Sequence, residues 1–149
     1  MKEIAAFFAV LGLDLGSKHW AEKSLPLDQK KDVVKNHLCL WHIKNGGMAY
    51  NTLDGKRKGI LFLTGGLLAI YAWLFGASLT GKMPRKFAMP IALTLGGGMG
   101  NFLERLKKGS VTDFLYIPSK GRKTPIFNLA DIAIVCGAIW VIVISHRKK

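Results

Sequence analysis

Asp131 stands in the stretch IFNLADIAIVCGAIWVIVI, Ile126 to Ile144, which carries no other charge. An ionised Asp at the centre of such a segment costs about 2.5–3.5 kcal/mol on translocon scales, so it needs compensation or a use. Helical spacing sets Asn128 on the same face as Asp131. The same spacing groups Asn101, Glu104 and Arg105 earlier in the chain, and Asp14 with Lys18 earlier still. Asp113, in SVTDFLY, adds a carboxylate between these groups. Two carboxyls within hydrogen-bond reach cannot both ionise easily, and they share a proton. The ionised member draws a proton from water while the neutral one polarises a carbonyl, which hydrolyses a peptide without a metal or a covalent intermediate. The bland alternative pairs Asp131 with Arg105 as a structural ion pair. Spacing leaves both readings open.

The elements that must position these groups are mostly hydrophobic helices. The chain has 149 residues, enough for one domain over 1–149. Half of the residues are hydrophobic, and the mean hydropathy is +0.23. Twenty-two basic residues against nine acidic ones give a net charge of +13, which suits nucleic acid or an anionic membrane surface. The hydrophobic distribution chooses the membrane and excludes nucleic acid as a partner. Gly59–Leu79 is 21 residues without a charge, the length that crosses about 30 Å of hydrocarbon. Phe87–Leu103 and Ile126–Ile144 are similar. Ile4–Leu13 opens a weaker segment with Asp14 and Lys18 at its far end; no small-x-small cleavage site follows, so a retained helix is expected rather than a signal peptide. The expected fold is a mainly α membrane protein with four transmembrane helices, at about 4–21, 59–79, 87–106 and 126–144.

Of the connections, residues 22–58 contain Val33–Lys44, which has strand-like composition, and then the Gly/Asn-rich NGGMAYNTLDG. A small β-sheet or hairpin is expected there, between helices 1 and 2. Residues 107–125 read as a loop with KKGS and SKGRKTP as turns. An antiparallel bundle brings the end of span one, the end of span three and the start of span four to one membrane face. Gly96 and Gly100 would let a neighbouring backbone approach closely. Charge argues against a simple orientation: seven of the Lys and Arg lie at the termini and the short turn, and fifteen lie in the long connections and the end of span one. A plain positive-inside count puts those connections in the cytoplasm.

Other candidate groups are weaker. His37, Cys39 and His42 offer zinc-type ligands, but His42 points away on a strand and no fourth ligand follows. Cys39 and Cys136 are not expected to pair. Trp20, Trp41, Tyr116 and Trp140 suit interfacial anchors. Lys56-Arg57-Lys58 and Lys107-Lys108 suit anionic lipid headgroups.

GGGMGNFLERLKKGSVTDF followed by PIFNLADIAIVCG resembles the signature of signal peptidase II, the lipoprotein signal peptidase. The family pattern reads G-G-x-x-G-N-x-x-D-R, then G-x-V-x-D-F, then F-N-x-A-D. Gly97, Gly100, Asn101, Arg105, Gly109, Val111, Asp113, Phe114, Phe127, Asn128, Ala130 and Asp131 match in register. Asp14 to Lys18, and Asn45 to Tyr50, agree more loosely. The resemblance implies a bacterial inner-membrane aspartyl protease. Its substrate is a diacylglyceryl-modified prolipoprotein, cut on the N-terminal side of the lipidated cysteine. It implies no cofactor and no metal. Asp113 and Asp131 fall on the catalytic aspartates; Asp14, Lys18, Asn45, Gly97, Asn101, Glu104, Arg105 and Asn128 fall on residues that shape the site or contact substrate. It also implies both termini in the cytoplasm, regions 22–58 and 107–125 on the outer side, and an active site at the extracytoplasmic face, against the charge count. Glu104 departs from the family's Asp, where the longer side chain keeps or shifts a pair with Arg105; Met48 and Tyr50 depart more mildly. The rival readings are a divergent paralogue that binds lipid or lipoprotein without cutting, and a small transporter using Asp14, Arg105 and Asp131.

Overall fold

The computed structural model describes residues 1–35, 37–47, 57–119 and 124–146. The first helix, α1, runs Lys2–Ser24. It stops where Leu25 turns extended (φ −115°, ψ 126°) ahead of Pro26, because the proline ring excludes the helical conformation from the residue before it. A hairpin follows, β1 (Lys30–Val34) and β2 (Leu38–Asn45). Then come α2 (Arg57–Leu79), one 3-10 turn (Arg85–Phe87) and α3 (Ala88–Lys108). Pro90 sits in the first turn of α3, where backbone N–H groups have no helical partner to lose. Gly109 ends α3 in the left-handed region (φ 80°), its N–H donating to the Arg105 carbonyl at 2.9 Å. The chain closes with β3 (Val111–Tyr116), β4 (Ile126–Phe127) and α4 (Leu129–His146).

The four strands form one antiparallel sheet in the order β1-β2-β3-β4. The sheet or hairpin expected around Val33–Lys44 is the hairpin β1–β2, with the His37 N–H donating to the Val34 carbonyl between its strands. The region expected to be a loop, 107–125, instead contributes β3. Alternation places Thr112 and Phe114 on one face and Asp113 on the other, and Ile43 of β2 faces Asp113 in register. Ile126 and Phe127 are strand, so α4 begins three residues later than expected. Phe114 packs with Ala21 and Leu25, tying the sheet to the end of α1.

The central helix is α3, which packs against α1, α2 and α4. The glycine run makes this possible. A Cβ on Gly96 would lie 2.9 Å from the Phe7 carbonyl oxygen of α1, and one on Gly97 would lie 2.5 Å from the Ala130 carbonyl oxygen of α4. A Cβ on Gly100 would collide with the Asp14 carboxylate. Two helices, α2 and α4, are long and apolar enough to cross a membrane by length and composition. Phe8, Phe62, Trp73 and Ile139 are exposed on the helices' outer surfaces. The turn expected after Gly47, with Met48, Ala49, Tyr50 and Lys56, lies outside the described residues, as do Arg147, Lys148 and Lys149.

Candidate active site

The polar residues singled out from the sequence meet where the C-terminal part of α1, the C-terminal part of α3, β3 and the N-terminus of α4 come together. Asn128 precedes α4 as its N-cap, and Asp131 is the third residue of that helix. The Asn128 side-chain oxygen accepts the Asp131 N–H at 3.1 Å, and Asp131 Oδ2 accepts the Asn128 N–H at 3.1 Å. This reciprocal pair has the geometry of a capping box, satisfying two N–H groups that would otherwise be orphaned. The Asn-x-x-Asp spacing is therefore a helix start, and the helix start fixes the Asp131 carboxylate.

Asp113 arrives from β3 and is 2% exposed. Its Oδ1 accepts Asn128 Nδ2 at 2.6 Å, and its Oδ2 accepts Asn45 Nδ2 from β2 at 3.0 Å. Asp131 Oδ1 accepts Asn101 Nδ2 at 2.9 Å. One asparagine, Asn128, thus bonds both carboxyls, through its side chain to Asp113 and through its backbone to Asp131. Burial raises the Asp113 pKa to about 6; the negative Asp131 nearby pushes the same way, while the hydrogen bonds from Asn45 and Asn128 oppose the shift.

Beneath this pair lies a buried charged layer. Lys18 Nζ donates to Asp14 Oδ2 at 2.7 Å and to Asn101 Oδ1 at 2.6 Å, and it lies 3.6 Å from Glu104 Oε2. Asp14 Oδ1 accepts the Ala130 N–H of α4 at 3.0 Å. Lys18 thereby fixes Asn101, and Asn101 holds Asp131. Lys18→Met is expected to destabilise the protein by about 3–5 kcal/mol, because Asp14 and Glu104 keep buried charges without their cation. Thermal unfolding in detergent checks this, with Lys23→Met, an exposed neighbour, as the neutral control.

Of the two outcomes open for the longer Glu104 side chain, the structure has the shifted one: Glu104 forms no ion pair with Arg105 among the described residues. Its Oε2 accepts the Thr112 N–H at 3.0 Å and its Oε1 accepts Thr112 Oγ1 at 2.6 Å, clamping β3 to α3 one residue before Asp113. Lys108 Nζ joins Glu104 at 3.2 Å. Arg105 Nη2 instead donates to the Gly47 carbonyl at 2.8 Å, and its buried Nε has no partner among the described residues. Both Asp113 and Asp131 act on the Arg105 charge, but neither carboxylate forms an ion pair with it among the described residues.

Thr112, Glu22 and Lys44 complete the network and were not picked out from the sequence. Thr112 Oγ1, whose one proton goes to Glu104, also lies 2.9 Å from Glu22, and Lys44 Nζ donates to Glu22 and, at 2.8 Å, to Thr112 Oγ1. A signal for Glu22 was present: residues 14, 18 and 22 recur every four positions on α1. Lys108, expected to face lipid, bonds Glu22 and Glu104. The zinc-type residues are dispersed. His37 sits in the hairpin turn near the Lys35 carbonyl, Cys39 Sγ donates to Asp32, and His42 Nδ1 lies 3.1 Å from the Leu25 carbonyl.

Comparison with known proteins agrees with this arrangement. The profile of the signal peptidase (SPase) II family matches residues 6–147. A lipoprotein signal peptidase of Xanthomonas oryzae is 36% identical over 142 residues, covering 94% of this chain and 86% of that protein. One from Clostridium tetani is 29% identical over 142 residues, covering 93% and 90%. A solved bacterial membrane enzyme superposes with a TM-score of 0.87 at 25% identity, covering 99% of this chain and 92% of its own. From the N-terminal helix to the capping box of α4, this chain belongs to the signal peptidase II family.

Proposed function

We propose that the chain removes signal peptides from prolipoproteins as an aspartyl endopeptidase, with Asp113 and Asp131 as the catalytic pair. The observation that carries this is the double engagement of Asn128, which binds one carboxyl with its side chain and the other with its backbone. A proton shared by the pair leaves one carboxyl neutral, and buried Asp113 is the member suited to hold it. The Asp131 carboxylate takes a proton from water as the water oxygen attacks the scissile carbonyl. Asp113 donates its proton to the carbonyl oxygen. Collapse of the tetrahedral intermediate returns that proton to Asp113, while the proton on Asp131 goes to the leaving amine. Cleavage falls on the N-terminal side of the diacylglyceryl-modified cysteine.

Four spans, at about 4–21, 59–79, 87–106 and 126–144, place this chemistry at one membrane face, with 22–58 and 107–125 extracytoplasmic and both termini cytoplasmic. Near the interface the cost of the Asp131 charge is smaller than at the bilayer centre. Asn45, Asn101 and Asn128 supply donors to the carboxyls, and Arg105, anchored on Gly47, offers its remaining N–H groups to substrate. Asp14, Lys18, Gly97 and Glu104 act through position: each fixes a helix or strand that carries one of those groups.

Cleavage of a diacylglyceryl-modified lipobox peptide by the purified protein in lipid tests the reading, the product's new N-terminus being the lipidated cysteine. The raised Asp113 pKa sets a pH dependence. Below about pH 6 Asp113 keeps its proton, and above it the general acid is lost. The kcat/KM for that peptide is therefore expected to fall as pH rises through this region, approaching tenfold per unit. Stability follows the same sign: the contribution of Asp113 is fully present below its unfolded pKa and is lost as pH rises through about 6. A flat kcat/KM between pH 5.5 and 8 would remove Asp113 as the acid.

A further inference from the structure

At the end of the helix bundle opposite the carboxylate pair, a recess of about 340 Å3 opens to the surface. It is lined by Lys2 and Glu3 from the start of α1, Arg85 and Lys86 from the 3-10 turn, Met89 of α3 and Trp140 of α4. Three cations therefore face one carboxylate. Glu3 is 3% exposed and is held by Arg85, with Nε 3.4 Å from Oε1 and Nη2 3.5 Å from Oε2. These contacts use two of the five guanidinium N–H donors, and the Arg85 side chain remains 65% exposed. Lys86 Nζ reaches the Ile144 carbonyl at 3.4 Å, a long contact that leaves its other protons free. Lys2 is exposed and has no side-chain partner among the described residues.

The recess is amphipathic. Cations form one side of it, while Met89 and the indole of Trp140 give an apolar side. That apolar side continues along α4, where Ile139, Trp140 and Val143 are exposed. We propose that this recess binds an anionic phospholipid, its phosphate against Lys2, Arg85 and Lys86 and its first acyl methylenes along Met89 and Trp140. A soluble phosphate would meet the cations and leave the apolar side uncovered. A neutral lipid would cover the apolar side and leave the excess positive charge unanswered. Basic pockets between membrane helices take anionic headgroups for this reason. The buried Glu3, which also accepts a hydrogen bond from the Met1 amino group at 3.2 Å, neutralises part of the charge, and its long contacts to Arg85 leave the guanidinium exposed to a headgroup. The proposal rests on the four-span reading for one point, that this end of the bundle lies at a membrane surface.

The test is native mass spectrometry of the full chain in neutral detergent, titrated with phosphatidylglycerol and phosphatidylcholine of equal chain length. Phosphatidylglycerol should bind more tightly. The double variant Lys2→Gln/Lys86→Gln should weaken it by about 30-fold, toward the phosphatidylcholine value. Both lysines are exposed and the Glu3–Arg85 pair is untouched, so the melting temperature should hold. Lys23→Gln, an exposed cation at the other end of the bundle, should leave lipid binding unchanged. Equal binding of the two lipids, a double variant that binds phosphatidylglycerol like wild type, or soluble glycerol phosphate binding as tightly as the lipid each overturns the proposal. Peptide cleavage measured on the same preparation keeps the two readings apart: a protein that cuts its substrate but shows no headgroup preference loses the recess and keeps the protease.

Discussion

Asp113→Asn and Asp131→Asn are each expected to lower cleavage of a lipidated lipobox peptide by at least about 10^3-fold, with the fold retained. An amide cannot take a proton from water or give one to a carbonyl oxygen, so each substitution removes one half of the proton exchange. The structural cost is much smaller. At position 131 the Asn carbonyl oxygen can still accept the Asn128 N–H and the backbone N–H still donates to Asn128, preserving both arms of the capping box, while the contact with Asn101 is lost. At position 113 one of two accepting oxygens becomes a donor facing the amide of Asn45 or Asn128, which costs about 1–3 kcal/mol. The measurement is the cleavage rate beside a thermal melt of each variant. A folded variant that keeps more than a tenth of wild-type cleavage would remove that aspartate from the catalytic pair. The divergent-paralogue reading makes the opposite prediction, that wild type and variants bind the peptide alike and none cuts.

Gly97→Ala is the second large effect, and it acts through geometry alone. Its Cβ would stand 2.5 Å from the Ala130 carbonyl oxygen, backbone that cannot swing aside as a side chain would. α3 and α4 must separate, at a cost of about 1–3 kcal/mol. Ala130 lies next to Asp131, so the separation moves one carboxyl relative to Asn101 and Asp113. A displacement near 1 Å is expected to reduce kcat by about 10^2-fold. Gly12→Ala and Gly66→Ala are the controls, since nothing lies within 4 Å of a Cβ at either site. Both should match or exceed wild-type stability, because Ala is the better helix former by about 1 kcal/mol. Equal activity of Gly97→Ala and the controls would show that the helices tolerate the added methyl group without moving the pair.

The helices and the carboxylate cluster were legible in the sequence because both rest on short periodicities. Uncharged runs gave α2 and α4, and spacings of three and four residues gave Asp14 with Lys18, Asn101 with Glu104, and Asn128 with Asp131. A close approach at Gly96 and Gly100 was legible too, since small residues four apart mark a close-packing face, but not that α1 is the neighbour. β3 was hidden. Val111–Tyr116 is short, its first four residues are buried, and it carries Asp113, so alternation had little to show. For Glu104 the extra methylene left two outcomes open, a kept or a shifted pair with Arg105. Residues adjacent on a helix point in different directions, and the real partner, Thr112, is brought in by the Gly109 turn. The transporter reading used Asp14 with Arg105 and Asp131 as intramembrane charges. In the fold both Asp14 oxygens are occupied, by Lys18 and the Ala130 N–H, which suits a strut rather than a passing ion.

The capping box has a consequence for how the protein comes into being. Ribosomes deliver a chain from its N-terminus, so α1, the hairpin, α2, α3 and the strand bearing Asp113 all exist before Asp131 is made. Asn128 and Asp131 then set each other as the last of these helices begins to coil. Until that moment the nascent polypeptide holds only one member of the proposed catalytic pair. A chain halted short of α4 therefore lacks the second carboxyl of that pair, and the proposed chemistry waits for this helix to be made.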